Sequence, residues 1–126
     1  MARKRSTHLT DAELRLMYVL WEKGSATVSE VVENVVSATP LAYSTVLTTL
    51  RILENKGYVK HRKEGRAFIY HPVVGRETAQ NKAISHLLRR FFGNSAELLM
   101  LSLIDSRKLR PEELKRLRKR IVEKDK

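Results

Sequence analysis

Apolar positions fall at helical spacing along most of this chain and at strand spacing in one short stretch. Thr10-Asp11-Ala12-Glu13 has the Ser/Thr-x-x-Glu spacing of a capping box, and Leu14, Met17, Tyr18 and Trp21 then recur at i, i+3, i+4 and i+7 until Lys23-Gly24. This predicts a first helix. A second box, Thr27-Val28-Ser29-Glu30, opens a shorter helix with Val28, Val31, Val32 and Val35 along one side, ending before Ser37-Ala38-Thr39-Pro40. A third helix starts near Tyr43, with Ala42 at the capping position, where it offers no side-chain acceptor. Val46, Leu50 and Leu53 form its apolar stripe. Because successive residues step about 100° around a helix, Ser44, Thr48, Arg51 and Asn55 line the opposite side.

The period then changes. Beyond Lys56-Gly57, where glycine suits a left-handed helix stop, residues 58–62 and 66–72 read as strands rich in β-branched and aromatic side chains: Val59, Phe68, Ile69 and Tyr70. Lys63-Glu64-Gly65 joins them, and Lys60, Arg62, Lys63 and Arg66 gather round the turn. A helix followed at once by a hairpin with a basic tip is the sequence form of a helix-turn-helix with a wing. A slim helix carrying short polar side chains and one Arg suits a major groove about 12 Å wide, and the cationic tip suits phosphate. Each feature also has a plainer reading: a solvated helix face, and a charged tip that guards a strand edge from aggregation.

After Pro72 the spacing is helical throughout. Ala79, Ala83, Ile84, Leu87, Leu88, Phe91 and Phe92 give a broad apolar face up to Gly93. In residues 95–105, Leu98, Leu99, Met100, Leu101, Leu103 and Ile104 leave almost no polar side, so that helix must be enclosed. Three short helices have little core of their own, and the most economical cover is the same segment of a second copy. Packing against the winged unit of the same chain is the alternative. Pro111-Glu112-Glu113 opens a last helix, with Leu114, Leu117 and Ile121 in a narrow stripe flanked by Lys115, Arg116, Arg118, Lys119 and Arg120. The expected dimer seam comprises Leu87, Leu88, Phe91, Leu98, Leu99, Leu101, Leu103, Ile104, Leu114, Leu117 and Ile121. The flanking cations read as a solvated outer face in preference to a second DNA site.

The predicted fold is therefore mainly α with a small antiparallel β wing. Residues 1–8 form a basic, flexible N-terminal arm, 9–74 a winged helix-turn-helix, and 75–126 a helical dimerisation lobe, with the boundary near Val73 to Arg76.

Composition narrows the partner. A net charge of +11 in 126 residues calls for a polyanion, nucleic acid first and an anionic membrane second. The charge is uneven: residues 1–75 hold 11 Lys+Arg against 7 Asp+Glu, and residues 76–126 hold 14 against 7. Cysteine is absent, which removes disulfides, thiolate metal sites and cysteine nucleophiles. His8, His61, His71 and His86 include no i, i+4 pair, and the five glycines form neither a phosphate-cradling loop nor a nucleophile elbow. No enzyme activity, cofactor or metal is expected. With no apolar run near the roughly 20 residues of a membrane span and no apolar stretch after the basic start, the chain reads as cytoplasmic, with no membrane partner.

From Leu9 through Ile121 the chain resembles the penicillinase-repressor family (BlaI/MecI, with the copper-responsive CopY branch). The matching stretches are residues 9–14, LTDAEL, with Val19-Leu20-Trp21; residues 43–50, YSTVLTTL; residues 63–67, KEGRA; and residues 109–114, LRPEEL. The resemblance implies a winged-helix homodimer that represses transcription from a palindromic operator in double-stranded DNA. Carried over by position, its DNA-binding residues are Tyr43, Ser44, Thr45, Thr48 and Arg51 on the helix, with Lys63 and Arg66 on the wing. Geometry independently supplies Ser44, Thr48 and Arg51, and adds Asn55 and the strand cation Arg62. In protease-controlled members a sensor protease cuts an Asn-Phe bond in the dimerisation lobe. The corresponding pair here is Ser102-Leu103, so cleavage control at that point is not expected and any protease partner is unknown. The cysteine cluster of the copper branch is missing as well. Two other readings stay open at this stage: a basic RNA-binding or ribosome-associated protein, which needs exposed aromatics for stacking, and a winged-helix protein-interaction adaptor.

Overall fold

The structure, a computed structural model, describes residues 8–125; the rest of the basic arm expected at the N-terminus lies outside the described residues. Six helices and three strands follow in the order α1 (Asp11–Lys23), β1 (Ala26–Thr27), α2 (Val28–Asn34), α3 (Tyr43–Asn55), β2 (Val59–Glu64), β3 (Ala67–Pro72), α4 (Arg76–Phe91), α5 (Ala96–Asp105) and α6 (Pro111–Lys124). The chain forms two compact units that divide inside α4, between Ala83 and Ile84.

In the first unit, α1, α2 and α3 pack on an antiparallel sheet of order β1-β3-β2. Both capping boxes close as the sequence predicts. The Thr10 hydroxyl accepts from Glu13 N while Glu13 Oε1 accepts from Thr10 N, and Thr27 and Glu30 repeat the exchange. The core is built from Leu16, Met17, Leu20, Val31, Val46, Leu50, Leu53 and Val59, with Tyr58 and Tyr70 also buried.

Three details differ from the sequence expectation. The buried residues of α1 are Glu13, Leu16, Met17, Val19 and Leu20, and Glu13, Leu16, Met17 and Leu20 among them lie one residue out of step with Leu14, Met17, Tyr18 and Trp21. Tyr18 and Trp21 lie on a neighbouring face, where the Arg76 guanidinium sits 5.5 and 5.6 Å from their rings and Trp21 Nε1 donates to Val74 O at 2.9 Å. That second apolar face holds the start of α4 and competes in the helical wheel with the core face. The hairpin gains a third strand, since Ala26 and Thr27 pair with Tyr70 and Ile69. Its turn also moves by one residue: Glu64 still pairs with Ala67, leaving Gly65-Arg66 as a two-residue loop with Gly65 at φ +59°. Positive φ at the first loop position is where a tight hairpin requires glycine.

The second unit has a different character. Ser95 caps α5 by accepting from Leu98 N, and Glu113 reaches back to Arg110 N at the start of α6, beside Pro111 in the first turn. Among its described residues none is buried.

Candidate nucleic-acid interface

The exposed face of α3 is set by what its other face buries. Val46, Leu50 and Leu53 are each 0% exposed, and burying each such side chain is worth about 1.5–3 kcal/mol. Turning the helix by one residue would bring Leu47, Arg51 and Glu54 inward instead, replacing two of three aliphatic side chains with charges. The core therefore fixes Ser44, Thr45, Thr48, Arg51 and Asn55 on the outside, and all five are exposed, together with Tyr43 at the first turn. Thr49 is occupied differently: its hydroxyl donates to Thr45 O at 2.8 Å. As the sequence predicts, Ala42 gives the helix N-terminus no side-chain cap, and the first turn holds no acid.

At its other end α3 stops in a Schellman motif. Tyr58 N donates to Leu53 O at 3.0 Å, Gly57 N to Glu54 O at 3.0 Å, and Gly57 has φ +87°. Tyr58 and Leu53, the two residues that make the hydrophobic contact of this motif, are both buried. The chain passes from helix into β2 through three residues only, Lys56, Gly57 and Tyr58. A second tie follows one turn along the strand, where His61 Nδ1 meets Glu54 Oε1 at 2.6 Å while the His61 ring lies against Tyr70 and Phe68. Below the helix, the buried Tyr70 phenol is pushed above its ordinary range by burial first and by the Glu54 carboxylate second, with the Arg51 guanidinium pulling the other way.

The wing carries its cations unequally. Lys63 Nζ lies 5.8 Å from the Phe68 ring centre, and Arg62 Nε pairs with Glu64 Oε1 at 3.0 Å, so an acid at the end of β2 offsets one of the four charges. Lys60, Arg62, Lys63 and Arg66 are all exposed. The aromatics of the hairpin are not open for base stacking: Tyr58 and Tyr70 are buried, and Phe68 is half-buried against His61 and Lys63.

Sequence reasoning missed the attachment of α3 to α1. Lys56, the C-cap of α3, donates from Nζ to Glu13 Oε1 at 2.8 Å and to His8 O at 2.9 Å. The pair is well shielded, with the two side chains 12% and 5% exposed. Burial pushes the Glu13 carboxyl up, but hydrogen bonds from Lys56 and the Thr10 backbone outweigh it and hold the group below its ordinary value. The capping-box motif marked Glu13, yet nothing in it points 43 residues ahead.

The expected seam residues lie in the second unit with no cover of their own. Phe91 is 68% exposed and Ile121 61%; Leu87, Leu98, Leu101, Ile104, Leu114 and Leu117 are also exposed, whereas Leu88, Leu99 and Leu103 are half-buried. An apolar hollow of about 400 Å³ opens between Ile104, Leu109, Pro111 and Leu114, with Arg107 and Arg110 at its edge. Among the described residues no cluster of His, Asp or Glu could hold a metal ion, and no helix is long and apolar enough to cross a membrane.

Comparison with known proteins agrees with this architecture. The chain is 31% identical over 115 residues to the penicillinase repressor of Bacillus licheniformis, covering 90% of this chain and 89% of that one. It is 20% identical over 114 residues to the methicillin resistance regulatory protein MecI of Staphylococcus aureus, covering 90% and 93%. Among solved structures it resembles the DNA-binding domain of the repressor BlaI, at 33% identity and a TM-score of 0.51, over 60% of this chain and 93% of that one. The penicillinase repressor family matches residues 9–123. This chain belongs to the penicillinase repressor family.

Proposed function

We propose that this DNA-binding transcriptional repressor acts as a homodimer on a palindromic operator. Residues 9–74 read one half-site each, and residues 75–126 hold two protomers together. The observation that carries the reading is the orientation of α3: a fully buried aliphatic stripe on one side and an exposed row of Ser44, Thr48, Arg51 and Asn55 on the other. With α3 in the major groove, Arg51 is the residue suited to bidentate contact with a guanine, and Tyr43, Thr45 or Thr48 to a thymine methyl group. The uncapped first turn of α3 offers backbone N–H groups to a phosphate. Arg62, Lys63 and Arg66 on the wing meet the neighbouring backbone, which supplies affinity without sequence preference.

The dimer reading draws on the second unit. A unit in which no described residue is buried leaves apolar surface that a second copy can cover. Two-fold symmetry of the protein then requires two-fold symmetry in the operator. Repression follows by occlusion, because a dimer bound at a promoter excludes polymerase. These events belong to the cytoplasm. The Ser102-Leu103 peptide bond lies inside α5, so proteolytic release at that point would first have to unwind a helix.

Footprinting on DNA upstream of this protein's own gene and its neighbours tests the reading. The expected result is a protected inverted repeat with Arg51-sensitive positions in each half. Equal protection of every fragment at moderate salt, or protection of a single unrepeated site, would refute it.

A further inference from the structure

Five of the six cations of α6 form a surface that the operator reading does not use. Lys115, Arg116, Arg118, Lys119 and Arg120 fall within six residues, and all are exposed. On a helical wheel they spread over about 200°, away from the narrow arc of Leu114, Leu117 and Ile121. Among the described residues none of the five is ion-paired. Their spacing works against the helix: Lys115 and Lys119 are four apart, as are Arg116 and Arg120, and like charges at that spacing are destabilising. Acids stand four residues from only two of the five, Glu112 from Arg116 and Glu123 from Lys119, so the cations outnumber the acids that could alternate with them. The helix dipole does not account for the cluster either, since it sits in the middle turns and leaves only Lys124 in the last.

The composition of α6 identifies the polyanion. The helix contains no Ser, Thr, Asn or Gln, so it has no uncharged side chain of the kind that reads base edges, and no aromatic residue on which an unpaired base could stack. Its apolar arc is narrow, with Leu114, Leu117 and Ile121 and neither Trp nor Phe, which is little to seat a basic amphipathic helix in a membrane interface. What remains is regular phosphate, closely spaced and recognised by charge, as on duplex DNA.

We propose that α6 is a second, sequence-blind DNA surface that holds duplex phosphates and supplies much of the protein's non-specific affinity. The proposal rests on the DNA-binding reading and goes beyond it, because it assigns to the dimerisation lobe a direct hold on DNA. It also accounts for why residues 76–126, with 14 Lys+Arg against 7 Asp+Glu, are more basic than the half that carries the wing.

The test uses the full chain and a random-sequence duplex of about 40 base pairs, long enough for several turns of helix. Binding of the wild type is compared with that of a variant carrying Lys115→Gln, Arg116→Gln, Arg118→Gln, Lys119→Gln and Arg120→Gln from 50 to 200 mM salt, with helix content and oligomeric state checked first. Removing one cation from a phosphate lowers the slope of log K against log salt by about 0.9. The expected result is a slope shallower by at least about two and a ten-fold or greater loss of affinity at the lowest salt. A control with Arg116→Lys, Arg118→Lys and Arg120→Lys keeps the charge and should keep the slope. Should the five-fold variant misfold, Lys115→Gln with Lys119→Gln, which removes one like-charge pair, is expected to lower the slope by at least about one. An unchanged slope in a folded variant overturns the proposal while leaving the operator reading intact. So does a defect seen with polyglutamate or anionic vesicles and not with DNA. A wild type that binds no duplex overturns both.

Discussion

Replacing Lys56 by Met tests whether the shielded link between α1 and α3 sets the stability of the reading unit. Lys56 Nζ lies 2.8 Å from Glu13 Oε1, and the Glu13 side chain is only 5% exposed, so the variant leaves a carboxylate out of water without its cation. Breaking such a buried pair by removing one partner costs about 3–5 kcal/mol. Glu13 retains the Thr10 backbone N–H at 2.8 Å, which places the expected loss near the lower end, about 3 kcal/mol. Glu13→Gln keeps an acceptor for Thr10 and Lys56 and gives up only the charge assistance, at about 1 kcal/mol. The double variant strands no charge and should recover most of the Lys56→Met loss. Trp21 is the only tryptophan in the chain and donates to Val74 O within the first unit, so its fluorescence during urea unfolding reports on this unit alone. The pH dependence follows from the sign of the shift. In the wild type the Glu13 carboxyl lies below its ordinary value, so its contribution is present above the unfolded value near 4.3 and is lost as pH falls through the folded one. In Lys56→Met, burial acts with less opposition and raises the carboxyl pKa, so that variant recovers as pH falls and the gap between the two proteins narrows towards pH 4. A loss below about 1 kcal/mol at pH 7, or a double variant that loses the sum of the two singles, would refute the reasoning.

Three further outcomes are expected. Arg51→Ala should cost roughly 1–3 kcal/mol against the preferred operator and relax preference at one base pair, read by competition between single-substitution operators; full retention of preference removes Arg51 from base reading. Glu64→Gln releases Arg62 from its 3.0 Å pair at the tip of the wing, so affinity should rise for all DNA sequences and the salt slope should steepen by up to about one, whereas weaker binding would show that the pair positions the wing. If the chain pairs through its C-terminal lobe as proposed, Leu117→Asp with Ile121→Asp should give a monomer in sedimentation, with loss of the second half-site in footprints; a dimer that survives both changes places the seam elsewhere.

Most of the helical framework was legible because its signals are local. Each capping box spans four residues, and the Val46, Leu50, Leu53 stripe spans two turns, so both appear in the structure as the sequence predicts. The parts that were not legible depend on partners far along the chain. β1 is two residues long, and Ala26 and Thr27 become a strand only by pairing with Tyr70 and Ile69. The inner face of α1 was ambiguous because Leu14, Met17, Tyr18, Trp21 and Glu13, Leu16, Met17, Leu20 share one spacing; burial of Glu13 against Lys56 and capture of Arg76 by Tyr18 and Trp21 decide between them. At the interface, the outward row on α3 follows from periodicity alone, but the offset of Arg62 by Glu64 needed side-chain geometry.

The Schellman junction at residues 53–58 has a consequence for how such a protein acquires a new target. Because only Lys56, left-handed Gly57 and Tyr58 separate helix from strand, and all three donate backbone hydrogen bonds to the end of α3, that connection cannot be lengthened without prising Tyr58 from Leu53. The helix and flap travel as one casting, and inserted or deleted residues at their seam would break it. New preferences must therefore arise by exchanging side chains on an unchanged frame, so a short set of outward positions, and not the length of any connection, is where divergence among such proteins should concentrate.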